Sequence, residues 1–255
     1  MPSGIWGCAG AADRADGTDH RAPTSIVERM PDTRALPHHE TAWLGKPQPD
    51  DADAPTLVLL HGYGSNERHL IALVPALQMF LPGINARVIA VRASFPAKGR
   101  QGGYSWFPGA VTAQPSIEAI GETADRVAGV IRQYAQRAMV LGFSQGMCTA
   151  ITVLRRHPEL VTALVGLSGF MFDDDHPGDG RLAVSAATGT GVPAFVGYDP
   201  ADPLIPPIAN RWAMTFLRTH SELEEHIYPG MGHSVSMPEI ADLTKFLRKI
   251  LPATG

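Results

Sequence analysis

Val140-Leu141-Gly142-Phe143-Ser144-Gln145-Gly146-Met147 is the stretch that decides how the rest of this chain is read. An apolar run, Ala138–Phe143, leads into a serine flanked by glycines, and a helical pattern follows from about Gln145 to His157, stopping before Pro158. This G-x-S-x-G spacing at a strand-to-helix junction marks a sharp turn that lifts the serine hydroxyl above a sheet. Side chains at the flanking positions would collide with the following helix or the adjoining strand, so glycine is needed there. The helix then aims its positive end and its free N–H groups at the serine. Ser144 is therefore the candidate nucleophile. Cys148, in the first turn of the same helix, reads as a small buried hydrophobe rather than a catalytic thiol.

Outward from this turn, short apolar runs alternate with longer helical patterns. The runs are Thr56–His61, Arg87–Val91, Ala138–Phe143, Ala163–Ser168, Val192–Tyr198 and Glu224–Tyr228. Most are continuous and β-branched, as expected of strands buried on both faces of a parallel sheet. Helices are expected over 117–135, with Ser116 as cap, over 145–157, from Pro206 or Pro207 onward, and over 237–251. Ser236 and Glu239 stand at capping-box spacing before the last of these. Strand–helix alternation predicts a doubly wound, mostly parallel α/β sheet with helices on both faces. In such a sheet, function gathers at the carboxyl ends of the strands.

The chain's 255 residues, 44% of them hydrophobic, suit one domain with a sizeable core, expected over 38–255. Residues 1–37 are poor in aliphatic side chains and are expected to be a disordered tail. A net charge of -4, without a cluster of Lys and Arg, argues against nucleic acid or an anionic membrane as partner. No apolar run approaches the ~20 residues needed to span a bilayer. The amino terminus lacks the pattern of a signal peptide, and two cysteines make no disulfide framework, so a cytoplasmic location is expected.

A nucleophilic serine needs an oxyanion site, a base and an acid. His61-Gly62-Tyr63-Gly64 follows the first core strand, and its glycines let the backbone approach the serine closely. Tyr63 is the candidate N–H donor there, with Gln145, the residue after the nucleophile, as the other. The His61 ring is expected to bond within the turn, because no partner ligands lie at metal spacing. His233, in Tyr228-Pro229-Gly230-Met231-Gly232-His233-Ser234, lies on a glycine-rich loop after the last strand and comes last in the order Ser…Asp…His. The acid should follow the preceding strand, where Asp199 and Asp202 are both candidates. Asp173, Asp174, Asp175 and Asp179 read as a solvated acidic loop. The segment 104–117 is expected to help wall an acyl site through Trp106 and Phe107, together with Phe170, Ile205 and Met231.

These motifs together resemble the phospholipase/carboxylesterase family of α/β-hydrolases, which includes acyl-protein thioesterases and small bacterial carboxylesterases. The matching stretches are LVLLHGYGSNERHL at 57–70, SWF at 105–107, VLGFSQGM at 140–147, DPLIP at 202–206 and YPGMGHSVSMPEI at 228–240. The likeness covers about residues 40–251. It implies an α/β-hydrolase fold without a large lid domain, a triad of Ser144, Asp202 and His233, and oxyanion donors at Tyr63 and Gln145. Gly197 stands further upstream of Asp202 than the family's G-x-x-D-P spacing. The implied activity is hydrolysis of carboxylic esters of small to medium acyl groups through an acyl-enzyme, on a small-molecule ester, with no metal and no organic cofactor. A thioesterase acting on acyl-protein or acyl-CoA thioesters is the alternative within catalysis. A hydrolase-fold binding protein without chemistry is the alternative outside it. Oligomeric state is not implied.

Overall fold

The structure, a computed structural model, describes residues 6–7, 37–46, 53–109 and 115–251. Seven strands, β1 (His39–Leu44), β2 (Thr56–Leu60), β3 (Ala86–Val91), β4 (Ala138–Phe143), β5 (Val161–Leu167), β6 (Pro193–Tyr198) and β7 (Glu222–Ile227), form one sheet. Their spatial order is β7-β6-β5-β4-β2-β3-β1. Every pairing is parallel except that of β1, which runs antiparallel along β3.

Both faces of the sheet are buried, which is why the central strands are continuous apolar runs. Val58, Leu60, Val140, Leu164 and Val196 face one core with helices α3 (Ile117–Tyr134), α4 (Gln145–Arg156) and α6 (Pro207–His220). Leu57, Leu59, Leu141, Phe143 and Phe195 face the other with α1 (Glu67–Ile71), α2 (Val74–Phe80) and α7 (Met237–Ile250). Each such fully buried aliphatic side chain contributes roughly 1.5–3 kcal/mol relative to exposure. Ser116 caps α3 as expected, and Ser236 with Glu239 completes a capping box on α7. No large lid domain interrupts the described residues.

The structure adds β1, α1, α2 and α5 (Asp179–Ala187), which the sequence reading did not anticipate. It also corrects the reading of the acidic segment. Asp174 and Asp179 are partners of Arg155 on α4, whose guanidinium binds Asp179 with two nitrogens and Asp174 with a third bond at 2.8 Å. Arg155 is only 4% exposed, so these carboxylates neutralise a buried charge instead of solvating a loop. The segment expected to be disordered, 1–37, lies outside the described residues apart from Pro37 and the pair Trp6–Gly7. That pair runs antiparallel to Ser234–Val235.

The sheet's strand order reverses between β2 and β4. After β2 the chain builds β3 to one side and then returns to build β4 on the other. The loops leaving β2 and β4 therefore diverge above adjacent strands, and the crevice between them is where such folds carry ligands.

Candidate active site

At the carboxyl end of β4 the backbone of Ser144 adopts φ 56° and ψ −120°, a left-handed conformation that L side chains rarely take. Strain of this kind costs on the order of 1–3 kcal/mol and persists only where the surroundings enforce it. Here they do. A Cβ on Gly142 would lie 2.2 Å from Gly146 O, and one on Gly146 would lie 2.0 Å from Leu60 O. Ser144 N donates to Leu167 O at 3.0 Å, which ties the turn to the end of β5. Helix α4 starts at the next residue, so the amide of Gln145 has no intrahelical acceptor.

The loop after β2 comes up beside this turn: a Cβ on Gly62 would meet Ser144 Cβ at 3.3 Å. Gly64, at φ +74°, lets the chain double back, and Gly64 N donates to Tyr104 O while Tyr104 N donates to Ser65 O. Glu67, buried at the start of α1, pairs with Arg92 beyond β3 and anchors the far side of the loop. The His61 ring is held at both nitrogens. Nε2 accepts from Ala93 N at 3.1 Å, so Nδ1 carries the proton and donates to Gly62 O at 2.8 Å. Burial pushes the His61 imidazole down to about 4, which keeps this tautomer neutral. The N–H groups of Tyr63 and Gln145 make no hydrogen bond among the described residues. Both are free to receive a developing oxyanion.

Trp106 acts as a brace for this region. Its indole N–H donates to His61 O at 2.6 Å, its backbone N–H donates to Gln145 Oε1, and its carbonyl accepts from Thr123. Phe107 and Phe170 are equally buried. Gln145 Nε2 donates to Phe107 O and Gly109 O, so its side chain locks the 104–109 segment onto the elbow. Met231 is half-buried on the loop that leads to His233. Ile205 is one of the residues lining a cavity of about 230 Å³, along with Ser168, Asp199, Asp202, Asn210 and Arg211.

His233 follows β7 on a loop with two left-handed glycines, Gly230 and Gly232. Its Nδ1 lies 2.7 Å from Asp202 Oδ2, with both side chains almost wholly buried. The other Asp202 oxygen accepts from the N–H groups of Leu204 and Ile205, which fixes the carboxylate from behind. Of the two aspartates the sequence left open, Asp202 is thus the one on the imidazole. Asp199 bonds its own turn through Ala201 N and reaches Gly232 N with its second oxygen. The Phe143 ring, beside Ser144, packs on the His233 ring at 5.0 Å, and Ser168 Oγ donates to Ser234 O. Ser144 Oγ makes no hydrogen bond among the described residues. Nucleophile–base bonds are often loose without substrate and tighten in the reacting complex. Cys148 is buried and unpaired, and burial pushes its thiol up to about 12, far from a reactive thiolate.

Comparison with known proteins points the same way as the geometry. The sequence profile of the phospholipase/carboxylesterase family matches residues 47–251. Acyl-protein thioesterase 1 of Mycosarcoma maydis is 29% identical over 125 residues, covering 47% of this chain and 50% of that protein. The chain spans about half the length of the curated relatives it matches first. The crystal structure of esterase PE8 superposes with a TM-score of 0.66 at 24% identity, over 85% of this chain and 100% of that one. A carboxylesterase from Mesorhizobium loti superposes at 0.60 and 22% identity, over 76% and 88% respectively.

Proposed function

This chain belongs to the phospholipase/carboxylesterase family, and from that premise we propose that it hydrolyses carboxylic esters of small to medium acyl groups through Ser144, His233 and Asp202. The buried 2.7 Å bond between His233 Nδ1 and Asp202 Oδ2, with the His233 ring packed on Phe143 next to Ser144 in the chain, is the observation that carries the reading.

A proton on Nδ1, held by the carboxylate, leaves Nε2 as the basic nitrogen. His233 takes the Ser144 proton as Oγ attacks the ester carbon, and the carbonyl electrons move onto oxygen. The N–H groups of Tyr63 and Gln145 receive that oxyanion. Collapse breaks the bond to the leaving alkoxide, which takes the proton from His233, and an acyl-serine remains. Water then repeats the sequence with His233 as base and frees the acid.

The likeness to acyl-protein thioesterases supports a second reading, cleavage of acyl thioesters. The same attack and the same oxyanion site serve both, so substrate decides between them. A panel of p-nitrophenyl esters of increasing chain length, with an acyl thioester alongside, separates the two. Ester turnover that peaks at short chains, and its loss by several orders of magnitude in a folded Ser144→Ala protein, is the expected outcome. Near wild-type turnover in that variant would sink the nucleophile assignment. Failure of the wild type to react with a fluorophosphonate would favour a binding protein without chemistry.

A further inference from the structure

We propose that Asp199 is a positioning residue for the base, a second carboxylate that clamps the backbone one residue before His233. The inference rests on the reading of His233 as base and goes beyond it.

Two carboxylates from the same loop grip two consecutive residues. Asp202 Oδ2 holds the His233 ring, and Asp199 Oδ2 accepts from Gly232 N at 2.8 Å. Asp199 Oδ1 accepts from Ala201 N at 2.9 Å, and Asp199 O accepts from Asp202 N at 3.1 Å. Asp199 therefore ties the two grips into one unit. It is 4% exposed, and its only hydrogen-bond partners among the described residues are backbone N–H groups.

The base loop needs such a tie. Gly230 and Gly232 have φ of +81° and +67°, and neither would place a Cβ within 4 Å of any atom. The space beside both glycines is therefore open, and the conformational freedom of glycine leaves this stretch of the loop many alternatives. The bond from Gly232 N selects one of them. With it in place, the His233 ring meets Asp202 and Phe143 without having to search. A displacement of about 1 Å in a reacting group costs up to about 10²-fold in rate, so a loose loop is expected to show in turnover.

The chemistry of the clamp makes it testable with an isosteric change. Both Asp199 oxygens accept from N–H donors, and an asparagine has only one such oxygen. In Asp199→Asn, an amide NH₂ must face either Ala201 N–H or Gly232 N–H, and one of the bonds is lost. We expect kcat to fall by about 10- to 100-fold with KM little changed. The downfield proton resonance of the His233–Asp202 bond should persist but broaden through faster exchange. In Asp202→Asn that resonance should vanish, with a larger loss of kcat.

Wild-type kcat with a sharp resonance in Asp199→Asn would overturn the proposal. So would a crippled Asp199→Asn beside an active Asp202→Asn that keeps the resonance, because Asp199 would then be the orienting acid itself. If Asp199→Asn does not fold, the wild type still decides. The Gly232 amide should exchange slowly with solvent deuterium, and fast exchange there would overturn the clamp. Activity surviving in Ser144→Ala would instead refute the site on which the inference rests.

Discussion

Gly197, near the end of β6, leaves the space that the carboxyl of Glu239 occupies. A Cβ at that position would lie 2.1 Å from Glu239 Oε1. Glu239 has no exposed surface, and Oε1 has no hydrogen-bond partner among the described residues, while Oε2 accepts from Ser236 N in the capping box of α7. An acid in that position is held as its neutral form, and burial pushes its carboxyl up to about 8.

This carboxyl makes stability depend on pH with a definite sign. Below the ordinary value of 4.5 both folded and unfolded chains keep the proton, and the full stability is present. Between 4.5 and about 8 only the unfolded chain releases it, so stability declines as pH rises through that window. Glu239→Gln, which mimics the protonated acid, should melt at the wild-type temperature near pH 4 and several degrees higher near pH 8. Melting curves that stay parallel across this range would contradict the assignment.

His61 orients the peptide that supplies one proposed oxyanion donor. By holding Gly62 O, its Nδ1–H turns the Gly62–Tyr63 peptide so that the Tyr63 N–H stays unclaimed. His61→Ala should lower kcat by about 10²-fold, near the effect of losing an oxyanion donor, with KM little altered. The affinity for a trifluoromethyl ketone, whose adduct places an oxyanion there, should fall in parallel. A change confined to KM would argue against this role.

The elbow has no room for a methyl group. In Gly146→Ala the new carbon would meet Leu60 O at 2.0 Å and His61 O at 2.8 Å, both backbone atoms that cannot rotate away. Overpacking of this kind costs typically about 1–3 kcal/mol, and here it also pushes on the strand that leads to Gly62. Thermal melting and kcat should both drop. A variant with wild-type values for both would show slack that the geometry denies.

Arg155 should be among the most sensitive charged positions outside the site. Arg155→Met leaves Asp174 and Asp179 facing each other without their cation, and breaking a buried pair costs about 3–5 kcal/mol. The two carboxylates keep some solvent contact, so the lower end is expected. Adding Asp179→Asn should recover part of the loss in urea unfolding. A double variant no more stable than Arg155→Met would show that the pairing contributes little.

The central strands were legible because burial on both faces writes continuous apolar runs, and β4 was read to the residue. Strand β1 was missed because it is an edge: His39–Leu44 is mostly half-buried, and its Glu40 and Thr41 break any apolar run. Helices α1 and α2 have 5 and 7 residues, too short for a helical period to declare itself. Helix α5 is masked by the acidic stretch that ends at its first residue, Asp179, whose partner Arg155 lies 24 residues away. In the site, glycine spacing and chain order mark Ser144 and His233 as candidates, whereas they leave Asp199 and Asp202 open, and the family resemblance alone singles out Asp202. The His61 ring does bond within its turn, as local reasoning expected. The Asp199–Gly232 bond spans 33 residues and involves a backbone N–H, so no side-chain pattern could have signalled it.

The proposed triad is divided unequally between the middle of the sheet and its margin. Ser144 leaves β4, which is flanked by β2 and β5, whereas Asp202 and His233 hang from β6 and from β7, the outermost strand. Strands at a margin open at lower cost than those inside. Warming should therefore detach the proposed base from a proposed nucleophile that is still in place. Loss of activity and loss of fold then become separate events, with the first arriving while most of the sheet is intact.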